Sequence, residues 1–107
     1  MAKTQLLRRI QILSETAIPG TLAEVMLRCG KAACACRNDP SRRHGPHLYL
    51  KFRDDNGRYT SVYIPRSHEG EVRRGVEAWS KLREAVNDLG QDNRKTLAKR
   101  LRKRRKP

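Results

Sequence analysis

Leu6, Leu7, Ile10 and Leu13 recur at helical spacing with Lys3, Arg8, Arg9 and Gln11 between them, which predicts a short amphipathic helix over residues 3–15, ended before Pro19-Gly20. From Thr21 to Arg28 the period changes to two: Leu22, Glu24, Met26 and Arg28 alternate with Ala23, Val25 and Leu27, as in a strand. LYLKFR and RYTSVYIP then flank Asp54-Asp55-Asn56-Gly57. Asn-Gly between alternating runs predicts a β-hairpin, and Pro65 stops its second strand. The same alternation sorts the hairpin into two faces. Leu48, Leu50, Phe52, Val62 and Ile64 make one apolar. Tyr49, Lys51, Arg53, Tyr59, Ser61 and Tyr63 make the other basic and aromatic.

Between Ser67 and Leu89, Val72, Val76, Trp79, Leu82, Val86 and Leu89 fall at steps of three and four, predicting a long amphipathic helix bounded by Gly90. Its stripe is expected to pack on the apolar face of the hairpin. A dimeric coil is the rival, because Val72, Trp79, Val86 and Gly75, Leu82, Leu89 occupy the two seam positions of a heptad. Three heptads with a Gly and a Trp in the seam make a poor zipper.

Charge changes the picture after Gly90. The 107-residue chain carries 25 Lys and Arg against 11 Asp and Glu, a net +14, which selects polyanionic partners and nucleic acid first. Much of the excess sits at Arg94, Lys95, Lys99, Arg100, Arg102, Lys103, Arg104, Arg105 and Lys106, a run expected to repel itself, stay disordered, and order along phosphates. On the hairpin, Lys51, Arg53, Arg58, Tyr59 and Tyr63 are the residues expected to touch a nucleic-acid backbone or bases, against the alternative of an ordinary solvated sheet face or one partly covered by the amino-terminal helix. A membrane role is not expected: the basic end offers only Leu97 and Leu101 as an apolar face, and no run is long enough to span. Arg8 and Arg9 interrupt any signal peptide, although an Arg-bearing, acid-poor start leaves an organelle transit peptide open. The expectation is a cytoplasmic protein with reduced thiols.

All 3 cysteines fall within CGKAACAC, and His44 and His47 follow in RRHGPH. Thiolates and a neutral imidazole are the ligands that tetrahedral Zn²⁺ prefers, and a structural site needs four with no open position. Cys29, Cys34 and Cys36 supply three, and one histidine completes the set. Gly30 can turn backbone N–H groups toward a thiolate, and Arg28 and Lys31 offset part of the negative charge. A disulfide between Cys34 and Cys36 would be strained, and an iron–sulfur cluster would want a fourth cysteine. A domain this small gains from such a staple. The expected fold is therefore α+β: an N-terminal helix (1–17), a zinc-stapled antiparallel sheet of strand plus hairpin packed by a long C-terminal amphipathic helix (18–90), and a basic tail (91–107).

CGKAACAC, HGPHLYL and SVYIP, in that order and followed by an amphipathic helix, resemble a family of small bacterial and archaeal proteins of unknown function. That family is typified by G-S/T-L, C-G-K-x-x-C-x-C, H-G-P-Y-Y-Y-L and V-Y-V/I-P, and the resemblance covers roughly residues 18–90. It implies that Gly20, Thr21, Leu22, Cys29, Gly30, Lys31, Cys34, Cys36, His44, Gly45, Pro46, Tyr49, Tyr63 and Pro65 occupy motif positions. His47 does not, since the pattern has an aromatic there, so the resemblance makes His44 the preferred fourth ligand and His47 a reserve or a group that supports the ligands from behind. It also implies an association with mobile elements and recombinases.

Three functions follow as expectations. The first is a non-enzymatic, zinc-containing DNA-binding accessory factor of a transposition or recombination system, with a recombinase or transposase as candidate partner. The second is an RNA-binding or ribonucleoprotein-associated factor, and the third an adaptor whose Trp79 helix docks on a larger nucleic-acid enzyme. No acid pair, no nucleophile with a base and no phosphate-cradling glycine loop points to catalysis.

Overall fold

The computed structural model describes residues 2–27, 31 and 33–105, with the side chains of Cys36, Pro40 and Arg105 outside that description. The architecture is α+β. Helix α1 spans Lys3–Ser14, strands β1, β2 and β3 span Thr21–Leu27, His44–Arg53 and Tyr59–Ile64, and helix α2 spans Glu69–Arg105, with short 3-10 turns at Ala35–Arg37, Pro40–Arg42 and Arg66–His68. The chain divides into two compact units: Pro19–Val76, which holds the sheet, and Met1–Ile18 together with Glu77–Pro107.

In the sheet unit the three strands form an antiparallel meander in the order β1-β2-β3. Thr21 pairs with Lys51 and Leu27 with His44 on one side of β2, while Leu48 pairs with Ile64 and Arg53 with Tyr59 on the other. The period of two holds. Leu48, Leu50 and Ile64 are buried, Leu48 at 1% exposure, and removing a side chain that size from water is worth about 1.5–3 kcal/mol. The hairpin turn is organised by Asp54, whose Oδ1 accepts the backbone N–H groups of Asn56 and Arg58 at 2.9 Å, while Gly57 takes φ +77°. Arg73, in the second turn of α2, donates to Glu24 of β1 at 2.6 Å. The pair is half exposed, so it fixes position more than it adds stability.

β2 is longer than the hairpin pattern predicts. The run of Asn, Asp, Pro, Ser, Arg and Gly over residues 37–47 reads as a loop in the sequence, yet residues 44–47 are strand. β1 supplies the reason: it pairs with β2 back to His44, and a bulge between Val25 and Leu27 absorbs the irregularity. Gly45 is what permits this, since it sits at φ +136° with Val25 O only 2.9 Å from where a Cβ would stand.

The helical unit departs from expectation twice. First, Gly90 does not end α2, and the stretch expected to be disordered is helix through Arg105. Arg, Lys, Leu, Ala and Gln are strong helix formers, a single Gly costs about 1 kcal/mol relative to Ala, and cations near a helix C-terminus complement its dipole. Lys106 lies outside the described residues. Second, the buried seam is shifted by one position. Leu6, Ala78 and Ala85 are buried, Leu82 and Leu89 half-buried, while Val86 is 50% exposed. Trp79 is half-buried as well, so of the expected stripe only Val86 turns outward. Lys3 Nζ donates to Asn93 Oδ1 at 2.9 Å, fixing the start of α1 against α2. Among the described residues no helix is long and apolar enough to cross a membrane.

Candidate metal centre and nucleic-acid interface

Cys34 and His44 lie ten positions apart, and hydrogen-bonded turns fold the connection back on itself. Cys34 N–H donates to Lys31 O, Arg37 N–H to Cys34 O, Asp39 N–H to Ala35 O and Arg42 N–H to Asp39 O, all within 3.0–3.2 Å. Asp39 anchors the second turn: its Oδ1 accepts the Ser41 hydroxyl at 2.7 Å and the Ser41 backbone N–H at 3.0 Å. These two bonds, the hydroxyl's first, hold its carboxyl below the usual Asp value. Arg42 lies 3.6 Å from the other oxygen.

The outcome is that Cys34 Sγ stands 3.2 Å from His44 Nε2. Two ligands on one tetrahedral Zn²⁺, with bonds of about 2.3 Å to sulfur and 2.0–2.1 Å to nitrogen, stand roughly 3.5 Å apart. The pair is within a few tenths of an ångström of that separation, with Nε2 turned to the sulfur. Cys29 and Gly30 lie outside the described residues, as does the Cys36 side chain, although Cys36 is in the turn that follows Cys34. Among the described residues no group of three or more His, Cys, Asp and Glu side chains is brought together.

His47 goes elsewhere. Odd-numbered residues of β2 share the open face of the sheet, so His47 joins Tyr49, Lys51 and Arg53 rather than Cys34. Its ring lies 5.9 Å from that of Tyr63, and Tyr63 in turn lies 5.7 Å from Tyr49, both contacts edge-on. At the other end of the face the Arg53 guanidinium sits 4.4 Å above the Tyr59 ring and donates to Gly57 O at 3.0 Å. Lys51 lies between, opposite Ser61. Of the hairpin residues expected to meet nucleic acid, Lys51, Arg53, Tyr59 and Tyr63 therefore share one face. Arg58 stands in the turn, exposed. Tyr49 joins them, as the alternation of the hairpin assigns, and so does His47, which was expected only as a reserve metal ligand; the parity of its position was the signal that could have placed it on this face.

The cations near the end of α2 lie on a helix in which residues 90–104 are all exposed. Arg94, Lys95, Lys99, Arg100, Arg102, Lys103 and Arg104 are held at helical spacing, with Leu97 and Leu101 among them.

A family model described as a domain of unknown function, DUF6788, matches residues 3–74. The chain belongs to this family. The matched stretch takes in α1, the whole sheet, the cysteine run, His44 and His47, and the first six residues of α2; the cationic end of α2 lies outside it. No curated protein and no solved structure matches the chain.

Proposed function

We propose that this protein is a non-enzymatic, zinc-stapled nucleic-acid-binding protein, acting in the cytoplasm as a DNA-binding accessory factor of a transposition or recombination system, with a recombinase or transposase as partner. The observation that carries the reading is the exposed cationic stretch of α2. Seven Lys and Arg side chains between Arg94 and Arg104, with Asp92 the nearest acid, form a rod of positive charge that touches little of the protein itself. A preformed helix meets phosphates without first losing chain entropy, and its long side chains supply affinity independent of sequence. The mobile-element setting is an inference from the motif resemblance.

The zinc component rests on the approach of Cys34 to His44. Cys29 and Cys36 complete the donor set, three thiolates and one imidazole, which suits borderline-soft Zn²⁺. Bound there, the metal supplies a closed structural cross-link and no reaction centre. Cys29 follows Leu27 by two positions, and Leu27 pairs with His44, so the cross-link ties the exit of β1 and the turn-rich connection to the start of β2. A staple of this kind orients the sheet face beside it.

The test compares binding of duplex DNA, single-stranded DNA and structured RNA at matched salt. DNA binding that weakens steeply with salt is expected. Preference for structured RNA transfers the reading to a ribonucleoprotein component, and absence of binding to all three refutes it. An adaptor role is favoured by one feature, an open groove on α2 lined by Trp79, Leu82, Arg83, Val86 and Asn87. Under that role capture of a protein partner survives truncation after Gly90.

A further inference from the structure

The sheet has two faces and the family match includes both, yet only one is buried. The other carries Thr21, Ala23 and Val25 from β1, His47, Tyr49, Lys51 and Arg53 from β2, and Tyr59, Ser61 and Tyr63 from β3, with no acid among them. Every one of these side chains is exposed or half-exposed, Tyr59 at 77% and Tyr63 at 48%. Aromatic rings left in water on a face without negative charge fit a ligand that is itself flat and anionic.

We propose that this face binds unpaired bases of single-stranded DNA, with Tyr63 and Tyr59 as stacking platforms and Lys51 and Arg53 as phosphate contacts. The proposal rests on the nucleic-acid reading above and names the form of nucleic acid that this second surface takes.

Order along the strands carries the argument. The Tyr49–Tyr63 pair comes first, Lys51 and Ser61 next, Arg53 and Tyr59 last, each step two residues and therefore about 6.5 Å. Ring, cation, ring is the repeat of a nucleotide chain, in which flat bases alternate with phosphates, and the interval from Tyr63 to Tyr59 suits the two or three bases that sheet readers stack. A duplex cannot use it, since its bases are already stacked on one another and offer only edges. The platform is also preorganised. Edge contacts from His47 and Tyr49 hold the Tyr63 ring, while Tyr59 and Gly57 O hold the Arg53 guanidinium, so little side-chain freedom remains to be lost on binding. Asp54, the carboxylate next in sequence, is engaged by two backbone N–H groups of the turn; Asp55 stands at the tip.

The experiment uses the full chain and measures anisotropy of labelled oligothymidine, the same length of oligouridine, and duplex DNA, each over a salt series. Tyr63→Ala and Tyr59→Ala are each expected to weaken oligothymidine binding roughly 5- to 100-fold while leaving the salt slope and duplex binding unchanged. Tyr63→Phe keeps the stacking plane and should bind as the parent does. Lys51→Gln with Arg53→Gln should flatten the single-strand slope by about two contacts. Tyr59 is so exposed that its loss leaves the core intact, which separates loss of binding from loss of fold. Tyrosine variants that bind oligothymidine like the parent, while duplex binding persists, overturn this proposal alone. Oligouridine bound more tightly than oligothymidine overturns the choice of DNA, and a full chain that binds none of the three overturns this proposal together with the reading beneath it.

Discussion

Truncation after Gly90 is the sharpest perturbation available, because the helical form of the cationic stretch limits how many of its charges can meet one duplex. At 3.6 residues per turn, Lys95, Lys99, Arg102 and Lys103 fall within about 100° of arc, while Leu97 and Leu101 face the opposite way. A duplex lying along the cationic side meets those four, and flexible side chains at its margins bring the number to about five. Each phosphate neutralised releases counterion worth about −0.9 in the slope of log K against log salt, so the full chain should show a slope of roughly −4 to −5 from this helix. Raising salt from 50 to 200 mM should then weaken duplex binding by a few hundredfold.

The truncated chain should lose most of the duplex slope. A four-glutamine variant at Lys95, Lys99, Arg102 and Lys103 should lose about 3.6 of it while remaining helical, which separates charge from the Lys3–Asn93 bond that truncation also removes. Equal slopes for the parent and both variants, read by anisotropy with circular dichroism as the check on helix content, would refute the assignment of this helix to phosphate binding.

Purified without chelator, the protein should carry one equivalent of zinc by elemental analysis. Cys34→Ser or His44→Ala should abolish it, His47→Ala should retain it, and chelation should lower the melting temperature because metal-binding energy is folding energy in so small a domain. Gly45→Ala should destabilise by about 1–3 kcal/mol in urea titration, since the new Cβ would press on Val25 O at a backbone angle L residues avoid. Asp39 has a folded pKa below its unfolded one, so the ordering it gives the 35–43 connection is fully present above the ordinary Asp range and is lost as pH falls through the depressed value. NMR titration should show that fall coupled to the Ser41 amide and absent in Asp39→Asn.

Local features were legible from the sequence, and features set by distant packing were not. The alternation of Leu48, Leu50 and Phe52 with Tyr49, Lys51 and Arg53 assigned both faces of the hairpin, because side-chain direction in a strand depends only on parity. The extent of β2 depended on its partner: no property of His44–His47 announces a strand until β1 lies beside it. Val86 looked like core because bulk and spacing favoured it, whereas the most buried positions of α2 are Ala78 and Ala85, one residue round the helix, with Trp79 half-buried beside them. Gly90 looked like a stop because the change in composition there coincided with a weak helix former. The sequence grouped Cys34 with His44 as ligands, and the connection that brings their Sγ and Nε2 to 3.2 Å works through Asp39 and Ser41, which the ligand pattern alone does not mention.

The family match stops at residue 74, and this boundary divides the two sources of affinity argued above. The sheet face and the cysteine–histidine region lie inside it, so whatever they do belongs to the domain that this chain shares with its family. The cationic helix lies outside it and, under the proposed function, acts through net charge with no bearing on which form of nucleic acid is chosen. A chain with the helix alone would bind any polyanion; a chain with the sheet alone would select unpaired bases weakly. Salt dependence and selectivity should therefore separate cleanly, the first following substitutions beyond residue 90 and the second following Tyr59 and Tyr63. Charge substitutions in α2 that changed the ratio of single-strand to duplex affinity at fixed salt by more than their own electrostatic share would show that the two surfaces act on one ligand together.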